Sequence, residues 1–466
     1  MTAHRTITSA LAPALITALI TGLLAGCADD HTASGPPDTT TAIGTTAASG
    51  GSGWIGGEPD FEASISSGAA SKGAGGSDER LATAAAPATT AAGAATTVAA
   101  VTADAAAPER QSTGAPKAGN VDDNADFDGF LAYLDRIAQL GVETRAIDVS
   151  GRIVVTVADQ SARAASHVPV EIRDGGGETV STMWTTADGT VRFHPGDRTG
   201  PFTFTTSNAS VTAAAGASAT LLVDRVEPAP AKIPLDILFL LDATGSMGDE
   251  IDRLTATLDD VVARVASLGN SPDLRLAMTV YRDIGDTFVT RTFQFTDDVT
   301  AFRAALADVR AAGGGDTPEA LDEALDEALS APTWRPLGEA TQLIFLVADA
   351  APHVDRQVSR PYDESLRDAA ARGIKVFPIA SSNSDDQAEA VFRQIAQFTG
   401  ARFVFLSYGA QGAALGTSTD IATTDYEELP LNDLIVRLTA EELGDRLGQR
   451  IDVIDSTTTT TRANGQ

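Results

Sequence analysis

The sequence predicts an α/β protein: a doubly wound, Rossmann-like domain with a mostly parallel sheet, a smaller all-β sandwich ahead of it, and a disordered N-terminal tether. Three observations carry that reading. Ile237-Leu-Phe-Leu-Leu241 and Leu343-Ile-Phe-Leu-Val347 are short, wholly apolar runs, the composition of strands buried on both faces. Helical patterns alternate with such runs; in the first, Ile251, Leu254, Leu258, Val261, Val262 and Val265 fall on one face. Strands alternating with helices imply a parallel sheet covered on both sides. Upstream, between about residues 147 and 228, the texture changes to period-two alternation broken by turns.

The chain of 466 residues has room for two or three domains. A formal charge of −30 argues against nucleic-acid binding, which needs a basic surface. Much of the acid reads as solvated faces. In Glu319-Ala-Leu-Asp-Glu-Ala-Leu-Asp-Glu327, acids alternate with an apolar stripe.

At the N-terminus, Arg5 precedes an apolar stretch from Ile7 to Leu24 that ends in Leu24-Ala25-Gly26-Cys27, with the single cysteine of the chain. Small residues before that cysteine resemble the bacterial lipoprotein signal. The resemblance implies removal of residues 1–26, a lipid on Cys27, and attachment to the cell membrane or outer membrane, facing outside the cytoplasm. An ordinary signal peptide or a spanning anchor is the other reading. The short run and the acidic Asp29 and Asp30 disfavour a span. Residues 27–120 are Ala, Thr, Gly and Ser with almost no aromatics besides Trp54 and Phe61, too little apolar surface to offset ordering entropy. Such a tether of about 90 residues reaches roughly 50 Å. A collapsed domain of Ala-rich helices is its alternative.

Within residues 121–146, Phe127, Phe130, Leu131, Leu134, Ile137 and Leu140 follow helical spacing until Gly141, a short helix packed on a neighbouring domain. Ile153, Val155 and Val157, then Val168–Ile172, Thr179–Trp184 and Val191–Phe193, with turns at Asp174-Gly175 and Asp188-Gly189, predict an antiparallel sandwich over residues 147–228. Thr185-Thr-Ala-Asp-Gly-Thr-Val-Arg-Phe193 resembles the carboxypeptidase-regulatory or prealbumin-like modules, which implies a spacer or second binding surface. Prolines 228, 230 and 234 lead into the α/β domain, residues 232–450; residues 451–466 form a polar tail.

The chemistry concentrates at Asp242-Ala-Thr-Gly-Ser246, directly behind the first apolar run. A carboxylate and two hydroxyls at alternate positions are hard oxygen ligands suited to a divalent cation. The pattern resembles the first part of the metal-ion-dependent adhesion site of von Willebrand factor type A domains, with Thr244 at a position usually held by serine. Gly313-Gly-Gly-Asp-Thr317-Pro-Glu319 and Leu343–Asp349 supply the later parts. The resemblance implies metal ligation by Asp242, Thr244, Ser246, Thr317 and Asp349, a bound Mg²⁺ or Mn²⁺, and capture of a protein ligand through an acidic residue. Singly, Asp242 and Asp349 also read as loop caps, and Thr317 as a helix N-cap ahead of Pro318.

Tyr281-Arg-Asp283 and Asp349-Ala-Ala-Pro-His353 resemble a bacterial branch of the same domains. Asp283 is a candidate for supporting the site or shaping the partner surface, with a plain solvated loop as its alternative. Asp316 is a candidate for orienting its loop, and His353 reads as a structural loop residue because no second His or Cys lies near it in sequence. The expected role is binding without catalysis, since the chain offers no nucleophile–base pair and no Gly-rich phosphate loop. A scaffold with a vestigial site and a metal-dependent hydrolase are the competing readings.

Overall fold

The computed structural model describes Trp54–Ile55 and residues 117–453, apart from 225, 270, 316, 382–383 and 408–428. The signal segment, Cys27, most of the expected tether, Asp316 and the tail beyond residue 453 lie outside the described residues. Among the described residues no helix is long and apolar enough to cross a membrane.

In chain order the elements ahead of the sandwich are β1 (Trp54–Ile55), β2 (Lys117–Val121) and α1 (Phe127–Leu140). The sandwich contains β3 (Ile153–Asp159), β4 (Pro169–Arg173), β5 (Thr179–Trp184), β6 (Thr190–Phe193), β7 (Phe202–Thr205), β8 (Ser210–Ala213) and β9 (Ser218–Val223). Next come β10 (Pro234–Asp242), α2 (Gly248–Ala266), β11 (Asp273–Tyr281), β12 (Thr290–Thr296), α3 (Val299–Ala307) and α4 (Leu321–Ser330). The chain continues through β13 (Thr341–Ala348), α5 (Tyr362–Arg372), β14 (Lys375–Ala380), α6 (Asp386–Thr399), β15 (Phe403–Ser407), β16 (Leu429–Pro430) and α7 (Leu431–Leu447).

The large sheet has the order β1-β12-β11-β10-β13-β14-β15-β2-β16. β10, β11, β13, β14 and β15 are parallel, as their apolar runs predict, and the outer strands pair antiparallel. Strand β10 is buried from its second residue on. Leu235, Ile237, Phe239 and Leu241 pack with the apolar stripe of α2 and with α7, while Leu238 and Leu240 face the layer containing α4 and α5. Asp236, also wholly buried, is neutralised by Arg275 at 2.7 Å and by Arg335, since a buried charge without a partner is costly.

The sequence reading is corrected in four places. The sandwich is not wholly antiparallel: β3 pairs antiparallel with β6 but parallel with β9, in sheets ordered β6-β3-β9 and β5-β4-β7-β8. Alternation fixes which side chains face in, yet it is blind to strand direction. Phe193 of one sheet meets Phe202 and Phe204 of the other at 5.1 and 6.0 Å.

The expected tether also stops too late. Residues 117–120, read as tether, form β2 together with Val121 and pair with β15, and Trp54–Ile55 pairs with β12. Helix α3 ends at Ala307 and α4 starts only at Leu321, so Thr317 is not its N-cap, and the Thr317–Pro318 bond is cis. Finally, Glu319 and Asp322 do not lie on a solvated face: they are 3% and 0% exposed. Asp322 accepts from the backbone N–H of Tyr362 at 2.5 Å and from Arg145.

Helix α1 sits against α6 of the large domain. Phe130, Tyr133 and Ile137 are buried in one cluster with Ile395 and Phe398. Arg393 lies over the Tyr133 ring at 3.7 Å and donates to Asp123 at 3.0 Å. The sandwich shares that cluster. The His194 ring stacks on Phe398 at 4.2 Å, and Arg446 of α7 donates to Ser166 at 2.7 Å. Burial opposes ionisation of Asp188 on the β5–β6 turn, but Lys375 of β14 and then Arg192 hold it far below the usual carboxylate range. Lys375 is buried itself and paired with Glu442 of α7 at 2.6 Å.

If α1 is part of this shared core, truncating Phe130, which is 1% exposed, should be severe. Phe130→Ala is expected to cost about 3–5 kcal/mol in urea denaturation. A loss under about 1 kcal/mol would show that α1 merely rests on the surface.

Candidate metal site at the sheet switch point

From β10 the chain winds outward to β11 and β12, then returns to β13 on the other side of β10. Ligands of open α/β sheets gather beyond the carboxyl ends of strands at such a reversal. Leu241 pairs with Val347, which brings Asp242, the last residue of β10, and Asp349, just past β13, to that crevice. Both are buried, at 0% and 6% exposure.

The chain leaves β10 through Thr244, in extended conformation, and a single turn of 3-10 helix at Gly245–Met247 that runs into α2. This turn folds the first loop around the Asp242 carboxylate. Asp242 Oδ1 accepts from the Thr244 backbone N–H at 2.9 Å and from its hydroxyl at 2.7 Å. The Thr244 and Ser246 hydroxyls lie 3.2 Å apart. Thr244 is wholly buried, whereas Ser246 and Thr317 are exposed. The set therefore has a buried floor and an open rim.

Backbone hydrogen bonds sew the loops together. Gly245 N–H donates to Gly313 O at 2.9 Å and Ala312 N–H to Ala243 O at 3.0 Å, joining the first loop to the triple-glycine loop. Glu319 N–H donates to Ala351 O at 3.0 Å, joining the Thr317 segment to the Asp349 loop. Two glycines are required here. A Cβ on Gly313 (φ +79°) would fall 2.2 Å from the Asp286 carboxylate, and one on Gly314 (φ +65°) 2.8 Å from Glu319 Oε1 and 3.1 Å from Thr244 Cβ.

The electrostatics at the floor are unfavourable to two bare carboxylates. Burial, and then the neighbouring Asp349, push Asp242 up to about 7 despite hydrogen bonds from Thr244 and Tyr281. Glu319 is pushed up to about 8, by burial and then by Asp242, Asp283, Asp349 and Asp286. Its Oε2 is buried with no hydrogen-bond partner. Tyr281, paired with Asp242 across the β10–β11 ladder, directs its hydroxyl toward Asp242 Oδ2 at 3.4 Å and is raised well above 10 by burial and then by the same acids.

Sequence reasoning missed Glu319 and Tyr281 as members of this cluster. Glu319 was hidden in an acidic repeat, and Tyr281 becomes visible only once strand register sets it opposite Asp242. Asp283, 9% exposed, is no solvated loop residue. Its Oδ1 lies 3.1 Å from His353 Nε2, whose other ring nitrogen is 3.4 Å from Asp355. Asp286 accepts from Gly314 N–H at 2.9 Å and so braces the glycine loop.

Among the described residues no three acidic, His or Cys side chains converge as a metal-holding group. Any cation here relies on hydroxyls beside two acids. The residues fit such an ion: all donors are hard oxygens, and positive charge would relieve the strain on Asp242.

Residues 236–411 match the von Willebrand factor type A domain. The chain therefore carries an A-domain. Over 188 residues it is 26% identical to an ariadne-like RING finger protein of Acanthamoeba polyphaga mimivirus, covering 37% of this chain and 18% of that protein. Over 121 residues it is 29% identical to the alpha-protein kinase vwkA of Dictyostelium discoideum, covering 26% of this chain and 19% of the kinase. The matches thus span less than a fifth of the length of these curated relatives.

Among solved structures, it is similar to the pilus adhesin SpaC of Lactobacillus rhamnosus GG in its open conformation, with 14% identity, 38% and 28% of the two chains covered and a TM-score of 0.29. It is also similar to proximal thread matrix protein 1 of the mussel byssus, with 13% identity, 49% of each chain covered and a TM-score of 0.31. A further structure of that matrix protein, with zinc occupying its MIDAS motif, matches at 16% identity, 36% and 40% coverage and a TM-score of 0.29. The A-domain sheet of this chain extends beyond the matched residues, because β2 and β16 complete its edge.

The raised carboxyls have a stability signature. The folded chain holds the Asp242 and Glu319 protons more tightly than the unfolded chain, so the stability they lend is full below about pH 4 and is lost as pH rises through about 7 and 8. In urea denaturation with chelator, Asp242→Asn is expected to lose less stability than wild type between about pH 5 and 8, by a few kcal/mol in order of magnitude. Equal pH slopes in the two proteins would refute a raised Asp242.

Proposed function

We propose that the A-domain holds a divalent cation, Mg²⁺ or Mn²⁺, through Asp242, Thr244, Ser246, Thr317 and Asp349, and captures a protein ligand through that ion. The observation that carries this reading is the buried Asp242–Asp349 pair at the switch point, lined by the adjacent Thr244 and Ser246 hydroxyls. Two carboxylates roughly neutralise the ion and three hydroxyls coordinate without adding charge, so it stays electrophilic and keeps exchangeable water. An acidic residue of a partner replaces that water. Glu319 and Tyr281 border the site and set its charge, and Asp283 with His353 supports the neighbouring loop. With the lipoprotein-like N-terminus, the same reading places the domain on a membrane surface outside the cytoplasm, anchored at Cys27, with the sandwich as a fixed spacer.

One observation favours hydrolysis instead. Asp283 Oδ1 lies 3.1 Å from His353 Nε2, on the loop that follows Asp349, a pairing that suits a general base. Metal-dependent turnover lost in His353→Ala would establish that alternative.

The test of the binding reading is thermal unfolding in millimolar Mn²⁺ against chelator. Binding to the folded form alone stabilises by about 2.7 kcal/mol at a hundredfold excess over Kd. Wild type is expected to show that rise, while Asp242→Ala and Thr317→Ala lose it. A rise of equal size in all three would sink the assignment of these ligands.

A further inference from the structure

Where the sandwich meets the A-domain, a cavity of about 340 Å³ opens between the β3–β4 loop, the β7–β8 turn and α7. That volume suits a small organic molecule. Three side chains that line it, His167, Thr206 and Arg446, each bury a polar atom without a hydrogen-bond partner: Nδ1, Oγ1 and Nε. Buried polar groups are nearly always paired, so three such atoms around one cavity mark a place built for polar contacts.

Arg446 gives the site its sign. Its guanidinium donates to the Ser166 carbonyl and hydroxyl at 2.9 and 2.7 Å, both neutral, and takes part in no ion pair among the described residues. Burial alone lowers it. Glu227, on the exposed rim, moves neither Arg446 nor His167. His167 is held in place against its backbone preference, in the left-handed region at φ +59°. The wholly buried Thr185 pins it there: its hydroxyl donates to Ala165 O at 2.7 Å and accepts from the Val168 N–H at 2.9 Å. Strain of this kind gathers at ligand clamps. Burial, and then Arg446, push the imidazole down to about 3, so the ring is neutral near pH 7. Val168, Val223 and Val226 supply an apolar stretch of wall.

We propose that this cavity binds a compact organic carboxylate, with Arg446 and Thr206 meeting its charge, a ring N–H of His167 donating to it, and the three valines taking its apolar body. Arg446 belongs to α7 and the others to the sandwich side, so the site exists only where the two are packed together. It is independent of the metal site.

NMR of the full chain, labelled in its histidine rings, tests this with benzoate as the probe. The His167 signals are identified by their loss in His167→Gln. Benzoate is expected to shift them saturably, and benzamide, of the same shape without the charge, to bind at least about tenfold more weakly. Arg446→Gln is expected to weaken benzoate binding by about tenfold as well. Thr206→Val exchanges an unpartnered buried hydroxyl for a methyl group, which leaves the fold intact, and is expected to weaken it severalfold. If Arg446→Gln does not fold, Thr206→Val decides: weaker binding supports the site, and unchanged binding overturns it. Equal affinity for benzoate and benzamide, a preference for inorganic phosphate over benzoate, or no saturable shift with benzoate at tens of millimolar would each overturn the proposal.

Discussion

The Asp242 carboxylate at the end of the central strand is the constraint around which the rest of this domain is arranged. A carboxylate with no exposure to solvent needs hydrogen bonds, a counter-charge or a proton. The chain supplies the first through Thr244, whose backbone and hydroxyl both donate to one oxygen, and through Tyr281 on the other. Among the described residues it withholds the second. Instead of an arginine, the parallel neighbour β13 delivers Asp349, and the loop ahead of α4 delivers Glu319. Elsewhere the protein shows that it can neutralise buried acids: Asp236 is met by Arg275 and Arg335, and Asp123 by Arg393. Among the described residues, the Asp242 carboxylate at the switch point is thus set apart from these arginine-paired acids.

Holding that arrangement takes more than the five candidate ligands. Each loop is tied to its neighbour by backbone hydrogen bonds, and the closest approach runs through Gly313 and Gly314, where side chains would strike Asp286, Glu319 and Thr244. Asp286 in turn bonds Gly314, and Asp283 bonds His353. The acids flanking the site therefore divide into those that face its floor and those that brace its walls. This explains why a local count of carboxylates says little about where an ion would sit.

The sandwich and the A-domain form one structural body. Sequence places the sandwich between α1 and β10, but α1 and β2 return to the A-domain, so the sandwich is an excursion between two of its parts. Buried pairs such as Lys375–Glu442 beside Asp188, together with the His194–Phe398 stack, seal the junction. A module attached at both ends and sharing a core holds a fixed orientation to the large sheet.

The parallel core was legible from sequence because a strand buried on both faces must be apolar throughout, and helices covering it must carry a stripe. Ile237–Leu241, Leu343–Val347 and the α2 face satisfy that locally. The ligand candidates Asp242, Thr244 and Ser246 were legible for the same reason: one short loop carries all three at fixed spacing. Whatever depended on distant partners was decided by tertiary structure alone. Lys117–Val121 has no periodicity of its own and becomes a strand because β15 offers it an edge. The direction of β9 against β3, the burial of Glu319 and the place of Tyr281 opposite Asp242 follow from register between segments far apart in the chain. Period and composition record which faces of an element are buried, and only the assembled sheet determines against what.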